Sequence, residues 1–442
     1  MSSSPPPLAS PSASEAAASQ SSASDELPAP RRRAAFAFIF VTILLDMLAF
    51  GMVMPVLPKL IERFLNNDIA AAAWMFGLFA TAWALMQFFW SPLLGALSDR
   101  FGRRPIVLLS NFGLGLDYVL MALAPQLWLL FIGRVINGIC SATISTAFAY
   151  IADVSTPEKR AAAFGKVGVA FGAGFILGPA LGGYLGGIDV RLPFWVAAGL
   201  SLANGLYGLL VLPESLRRDN RSPFRWARAN PLGSLRLLRT NAALSALAIV
   251  NFFGQLGHVV LVSTVVLYAS YRYQWNEQAV GLMLALVGLS AMVVQGALVG
   301  PAARLLGERR ALLAGLGCGV VSFLIMAFAP TGIWFLASIP VMALWGIAGP
   351  ATMALMSRLV GASEQGQLQG ANTSVQSIAQ LLGPSLFAGV FAYFIGKNAP
   401  FELPGAPFLL AAGFLVLALL IAMSVRMSNT STPDVKPMAG ES

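Results

Sequence analysis

Long apolar runs broken by short polar stretches dominate the chain, and their lengths decide what they can be. A helix rises ~1.5 Å per residue, so crossing a ~30 Å hydrocarbon core takes roughly 20 apolar residues. Runs of that size occur at Ala34 to Val56, Trp74 to Leu97, Pro105 to Ala124, Leu127 to Tyr150, Ala162 to Leu185 and Leu192 to Leu212. They recur at Ala242 to Ala269, Ala279 to Val299, Ala311 to Ala329, Ile333 to Met356, Leu368 to Phe394 and Pro407 to Val425. A backbone in lipid must satisfy its own hydrogen bonds, which a helix does within one segment. The expected fold class is an all-α membrane protein with twelve transmembrane helices.

Composition agrees: the 442 residues are 57% hydrophobic and 11% charged, outside the range of soluble domains. The net charge of +9 would suggest nucleic-acid binding in a soluble protein, but its distribution gives another reading. Placing the N-terminus inside puts Arg31 to Arg33, Arg100, Arg103, Arg104, Lys159, Arg160 and the Arg217 to Arg239 segment on one side. The opposite loops keep Lys59, Arg63, Arg191, Arg272 and Lys397. That asymmetry predicts cytoplasmic termini and no nucleic-acid partner. The Ser-, Ala- and Pro-rich tail 1–33 and the tail 427–442 are expected to be disordered. The apolar run after Arg33 has full spanning length, so it reads as an uncleaved first helix, not a secretory signal. Cys140 and Cys318 both fall in spans, which argues against a disulfide framework, and neither CxxC nor metal-ligand spacing occurs. No cofactor or metal is expected.

The polar segment Pro213 to Asn241 carries seven arginines and divides the spans six and six. It reads as a cytoplasmic linker (213–241) between an N-terminal bundle (34–212) and a C-terminal bundle (242–426). A repeat supports the division, because Gly95, Asp99, Gly102 and Arg104 return 205 residues later as Gly300, Arg304, Gly307 and Arg309. Two related bundles with a binding site at their interface suit alternating access.

The loop from Gly95 to Arg104 has glycines for a tight turn, and Asp99 with Arg100, Arg103 and Arg104 can latch the cytoplasmic side in one conformation. Short basic loops also merely orient helices, so both readings stand. Gly165, Gly174, Gly178, Pro179, Gly182 and Gly183 in span five allow close helix approach and bending, or serve as an ordinary packing face.

Of the 19 acidic residues, Asp46 and Asp117 lie deep within spans, and the deep cation is Arg134. Each costs roughly 2.5–3.5 kcal/mol to insert, so each is a candidate for function, with mutual neutralisation as the structural alternative. Asp117 and Arg134 lie about eight residues either side of the Pro125–Gln126 turn, ~12 Å deep, and can meet. Asp46, twelve residues into span one, could compete for the same guanidinium. The three are expected to form one charge-coupled unit exchanging a proton for substrate. An imidazole's unperturbed pKa of ~6.5 suits a proton relay, so His258, mid-span, is a candidate for one, or serves as a packing residue. Trp83, Gln87, Asn137, Asn251, Gln255, Gln295, Asn372 and Gln376 are candidates for lining a substrate cavity, or for joining helices.

Several stretches in order resemble the drug/proton antiporters of the major facilitator superfamily, particularly the tetracycline efflux pumps. They are Gly51 to Pro58, Gly95 to Pro105, Leu116-Asp117-Tyr118, Gly133-Arg134, Tyr150 to Asp153, Gly165 to Gly183, Leu212 to Ser215, Gly307 to Ala311 and Glu364 to Gly370. The resemblance implies two pseudo-symmetric six-helix bundles. It gives Asp46, Asp99, Asp117 and Arg134 roles in coupling and conformational change, adds Asp153 and Arg160 to the gating set, and makes the span-five glycines an antiporter motif. In those pumps a histidine of span eight and an aspartate of span nine serve proton coupling and drug recognition. Ala291 and Gly319 stand there in this chain, and His258 stands where the pumps carry glutamine.

No nucleophile with an adjacent base and no phosphate loop occurs, so an enzyme is not expected. The resemblance implies a monomeric, proton-coupled exporter in a bacterial inner membrane, with a lipophilic small molecule, protons and membrane lipid as partners. A metabolite uniporter or symporter of the same fold is the alternative.

Overall fold

The computed structural model describes residues 29–141, 144–154, 157–216, 221, 233–361, 364–397 and 399–425. Residues 1–28 of the expected tail 1–33, all of the expected tail 427–442, and most of the linker lie outside the described residues, while Ala29 to Arg33 are helical, which corrects their assignment to a disordered tail. Among the described residues the regular elements are helices: α1 (Ala29–Val53), α2 (Leu57–Phe64), α3 (Ile69–Phe101), α4 (Arg103–Leu123), α5 (Leu127–Cys140), α6 (Ile144–Val154), α7 (Pro157–Ile188) and α8 (Leu192–Val211). After a short 3-10 turn at Gly233–Arg239 come α9 (Ala242–Ser263), α10 (Val265–Tyr273), α11 (Glu277–Val293), α12 (Val299–Phe328), α13 (Gly332–Leu344), α14 (Ala348–Ser357), α15 (Gln365–Ile395) and α16 (Ala406–Ser424).

Ten described stretches are long and apolar enough to cross a membrane. Two features separate that number from the expected twelve. Leu127–Cys140 is apolar but short, and Glu277–Phe328 is one stretch of 52 residues. At ~1.5 Å per residue the latter would measure ~78 Å, more than twice the hydrocarbon core. It breaks at Gly307, whose φ of 74° and ψ of 159° are non-helical, into two arms.

Sequence chemistry explains the other breaks. Span one stops at Val53 because Pro55 has no N–H to return to Gly51, and a fresh helix starts at Leu57 with Pro58 in its first turn. Asp68, Asn241 and Asn276 cap α3, α9 and α11, each side-chain oxygen accepting a backbone N–H at 2.8–3.0 Å. One expectation is corrected here. The stretch from Gly95 is not a loop: α3 runs through it to Phe101, so Gly95 makes no turn. The turn is the single residue Gly102 at φ 107°, a left-handed value that glycine reaches without steric cost.

The 205-residue repeat extends into geometry. Gly102 and Gly307 both take positive φ. Arg104 donates to the Leu209 carbonyl at 2.7 Å, and Arg309 donates to the Met423 carbonyl at 2.9 Å. Arg103 pairs with Asp153 at 3.2 Å, while Glu308 pairs with Arg358 at 2.6 Å, the same two positions with charges exchanged.

Helices before the linker pack chiefly on one another, α1 on α7 and α8, and α4 on α5 and α8; those after it do likewise, α9 on α15 and α16, and α12 on α16. Two seams join the sets: α3 with α15, and α7 with α11. In the first, Thr81 and Ser385 hydroxyls bond at 2.7 Å. In the second, a methyl group at Gly183 would fall 2.8 Å from Gly281 Cα, and Arg63 pairs with Glu277 at 3.3 Å beside it. These contacts lie at the end of the molecule opposite Gly102.

Candidate functional site

Between the two sets of helices lies a cavity of about 730 Å³. Its wall is mostly apolar and aromatic, with Phe50, Phe76, Phe171, Phe175 and Trp345 prominent. Of the expected lining residues, Trp83, Gln87, Asn251, Gln255, Gln295 and Gln376 reach it, as do Asp46, Arg134 and His258. Asn137 and Asn372 do not line it, which corrects their assignment. Asn372 is buried behind Asn251, accepting from that amide at 3.1 Å and donating to the Met353 sulfur.

Asn137 is 1% exposed and holds a chain of contacts between wall and core. The Trp83 indole N–H donates to its Oδ1 at 3.0 Å, and its Nδ2 donates to Asp117 Oδ2 at 2.9 Å. The Arg134 guanidinium lies 5.4 Å from the Trp83 ring centroid, a cation–π placement, and the Phe50 ring stacks on Trp83 at 5.7 Å. Asp117, at 1% exposure, therefore does not touch the cavity, but Trp83 does.

The expectation that Asp46, Asp117 and Arg134 meet as ion pairs is corrected. Among the described residues no salt bridge joins them, and Asp46 Oδ1, Asp117 Oδ1 and Arg134 Nε are all buried without a protein partner. Helix depth alone could not show this: Asn137 takes the hydrogen bond to Asp117 Oδ2, and Arg134 lies over the Trp83 ring.

His258 faces the cavity, its ring 5.9 Å from that of Trp345. Ala291 is on the same wall. Gly319 is not: it is packed under Trp345 and Leu415, and a methyl group there would fall 3.0 Å from Trp345 Cγ. Residues missed in the sequence are Thr352, Gln380 and the aromatic panel. Gln380 had a signal, because Asn372, Gln376 and Gln380 recur at helical spacing on α15.

At the Gly102 end, Arg103 bridges Asp99 (2.5 Å) and Asp153 (3.2 Å) and also bonds Ser98. Glu214 accepts from the backbone N–H groups of Arg103 and Arg104, satisfying the first turn of α4. Ser215 bonds Asp153, so the linker's start is tied into the same cluster. Arg100 stands apart over the Phe101 ring. Arg160 and Gly165 fall in a part of α7 whose side chains lie outside the described residues. Gly174, Gly178, Gly182 and the Pro179 ring face α1, where a methyl at Gly178 would fall 2.8 Å from Gly51 Cα; Gly183 and the Pro179 carbonyl face α11. One helix thus wedges between the two sets.

The sequence matches the Major Facilitator Superfamily model over residues 39–384 and again over 247–441. The chain belongs to the Major Facilitator Superfamily. It is a multi-pass membrane transporter and not an enzyme. The class C tetracycline resistance protein of Escherichia coli is 38% identical over 81% of this chain and 90% of its own. The class G protein of Vibrio anguillarum is 38% identical over 82% and 91%. The human organic anion transporter MFSD10 (TETRAN) superposes with a TM-score of 0.60 at 26% identity, covering 90% of this chain and 100% of its own. The nucleoside transporter NupG, at 14% identity and a TM-score of 0.71 over 88% of this chain and 98% of its own, shares the fold.

Proposed function

We propose that this transporter exports a lipophilic, drug-like small molecule in exchange for protons by alternating access. The observation carrying this is a large aromatic cavity with Asp46 and Arg134 on its wall and two close-packed seams sealing one end. Apolar surface draws the substrate in, while a few polar groups orient it. The relatives named as tetracycline resistance proteins support the exporter reading.

In this reading, twelve spans form two six-helix bundles, 34–212 and 242–426, joined by the linker. Treating Glu277–Phe328 as two arms and α5 with α6 as one span supports that number. The termini and the Gly102 end face the cytoplasm of a bacterial inner membrane, so the conformation is open inward. The monomer sits in lipid, with Leu210, Leu305 and Ile333 facing acyl chains. Asp46 and Asp117 carry the coupled proton, Arg134 and Trp83 tie their state to the cavity, and His258 contacts substrate or proton from the opposite wall. The clusters at Arg103–Asp153 and Glu308–Arg358 gate the cytoplasmic side.

Counterflow in liposomes with and without an imposed pH gradient tests this. Asp46→Asn and Asp117→Asn should each reduce gradient-driven transport while sparing insertion, Asp46→Asn more severely. Full gradient-driven transport by both variants would move coupling elsewhere, with His258 next to test.

A second reading has one specific support. Asn251, Gln255, Gln295, Gln376 and Gln380 form an amide-rich face on the second set of helices, suited to hydroxyl or amide groups of a polar metabolite. Such a uniporter would show counterflow indifferent to the pH gradient.

A further inference from the structure

Asp46 borders two spaces. One is the central cavity; the other is a separate recess of about 10 Å³ between α1, α4 and α6. Besides Asp46, the recess presents Thr42 from α1 and Asn111 from α4, and its remaining wall is aliphatic. That volume admits about one water-sized particle and excludes any organic substrate.

The polar groups around it are buried and underused. Asn111 is 0% exposed, and neither its Oδ1 nor its Nδ2 has a protein partner. Asp46 Oδ1 is likewise buried and unpartnered. Thr42, 2% exposed, donates to Asn204 Oδ1 at 3.2 Å and keeps its own lone pairs, while Asn204 Nδ2 is unpartnered. A leucine at 111 would fill the same space without leaving an amide unsatisfied, so packing does not explain the asparagine.

We propose that the recess binds one water molecule, held by Asp46, Asn111 and Thr42, and that Asp46 with this water forms the proton-carrying site. The group set selects water over a metal cation. Asp46 Oδ1, Asn111 Oδ1 and the Thr42 hydroxyl accept, whereas Asn111 Nδ2 only donates, and a cation would leave that donor unpartnered. Water satisfies both kinds. The recess lies on the Thr42 side of Asp46, one helical turn nearer the start of α1, so a proton on the carboxyl can pass to the water without crossing the substrate cavity. Asn111 is then a positioning residue for coupling, an assignment that rests on the proposed role of Asp46. Tyr118 from α4, Arg134 from α5 and His258 from α9 share the cavity wall with Asp46, and Asp117 on α4 interacts with the same Tyr118. Asp153 on α6 is engaged by Arg103, and Lys166 on α7 lies over Phe36.

The test is a high-resolution structure of the full chain in lipid, in sodium-containing and in choline-substituted buffer, with Asn111→Leu alongside. A single peak within hydrogen-bonding distance of Asp46 and Asn111 in both buffers, lost in Asn111→Leu, is the expected result. An empty recess in the wild type, or a peak that vanishes without sodium, would overturn the proposal. Occupancy does not depend on whether Asp46 couples transport, so it separates this inference from the exporter reading. In liposomes, Asn111→Leu should move the pH of half-maximal gradient-driven transport while leaving counterflow at fixed pH intact. Asn111→Ser, which retains a polar group, should restore the wild-type profile; an unmoved profile in Asn111→Leu would also sink the role of the water.

Discussion

The Trp345 ring occupies the space in front of Gly319, with Cγ 3.0 Å from where a side chain at 319 would begin. By resemblance, tetracycline pumps carry an aspartate there, and Ala291 replaces their span-eight histidine on the cavity wall. The second set of helices therefore offers tryptophan, His258 and amides where those pumps offer charge.

Tetracycline should accordingly be a poor substrate, and Gly319→Asp should not improve it, because the carboxyl meets the indole. Trp345→Ala should raise the KM for lipophilic substrates at least about tenfold, since a buried aromatic contact is worth roughly 1.5–3 kcal/mol. Resistance on expression in a sensitive host checks the first statement and dye efflux the second. Strong tetracycline resistance from the wild type would refute the substrate argument.

The charge-exchanged pairs predict a swap. Arg103→Glu alone sets a carboxylate against Asp99 and Asp153, and should destabilise the Gly102 end. Adding Asp153→Arg recreates the polarity seen at Glu308 and Arg358, and should recover about 1 kcal/mol in a double-mutant thermal cycle. Additive losses would show that the two pairs are not equivalent.

Much of this was legible in the sequence for physical reasons. Spans are set by hydropathy over ~20 residues, and the repeat by residue identity at Gly102 and Gly307, so the helices and their turns followed. What escaped were partners across helices. Depth counting brings Asp117 and Arg134 to one level but not to one azimuth, and it cannot show that Asn137 stands between Trp83 and Asp117. Gly95 was misread because a glycine in a charged stretch looks like a turn, whereas the helix simply continues past the membrane edge.

The α7 wedge carries a steric prediction. Gly178→Val places branched carbons into Gly51 on α1, and Gly183→Leu does so into Gly281 on α11. The first pair lies within one set of helices and should reduce stability. The second lies on the seam between sets, so Gly183→Leu should keep insertion while lowering transport and shifting the cavity end accessible to a thiol reagent. Equal loss of folded protein in both variants would erase the distinction.

Topology is checked by labelling. On a background lacking Cys140 and Cys318, Thr240→Cys and Asn276→Cys should react from opposite faces of the membrane, Thr240→Cys from the cytoplasm. The argument is the arginine excess before α9 and the full-length apolar helix between the two positions. Labelling from one face would overturn it.

The sharpest prediction concerns Asn137, because its side chain hydrogen-bonds both the cavity's tryptophan and the buried carboxylate. Asn137→Leu keeps the volume but leaves the Trp83 indole N–H and Asp117 Oδ2 without their partner. Each orphaned buried group costs about 1–3 kcal/mol, so the Trp83 ring should lose its fixed orientation over Arg134. Substrate stacking on Trp83 would then no longer report to Asp117. Gradient-driven transport should fall at least about tenfold, a change of 1.4 kcal/mol, while counterflow and binding quenching of Trp83 fluorescence persist at reduced affinity. Asn137→Asp, which preserves the acceptor for Trp83 but sets a second carboxyl beside Asp117, should keep the fluorescence signature and lose coupling. If Asn137→Leu transports against a gradient as well as the wild type, the contact from Trp83 to Asp117 is a packing detail, and coupling runs through Asp46 alone.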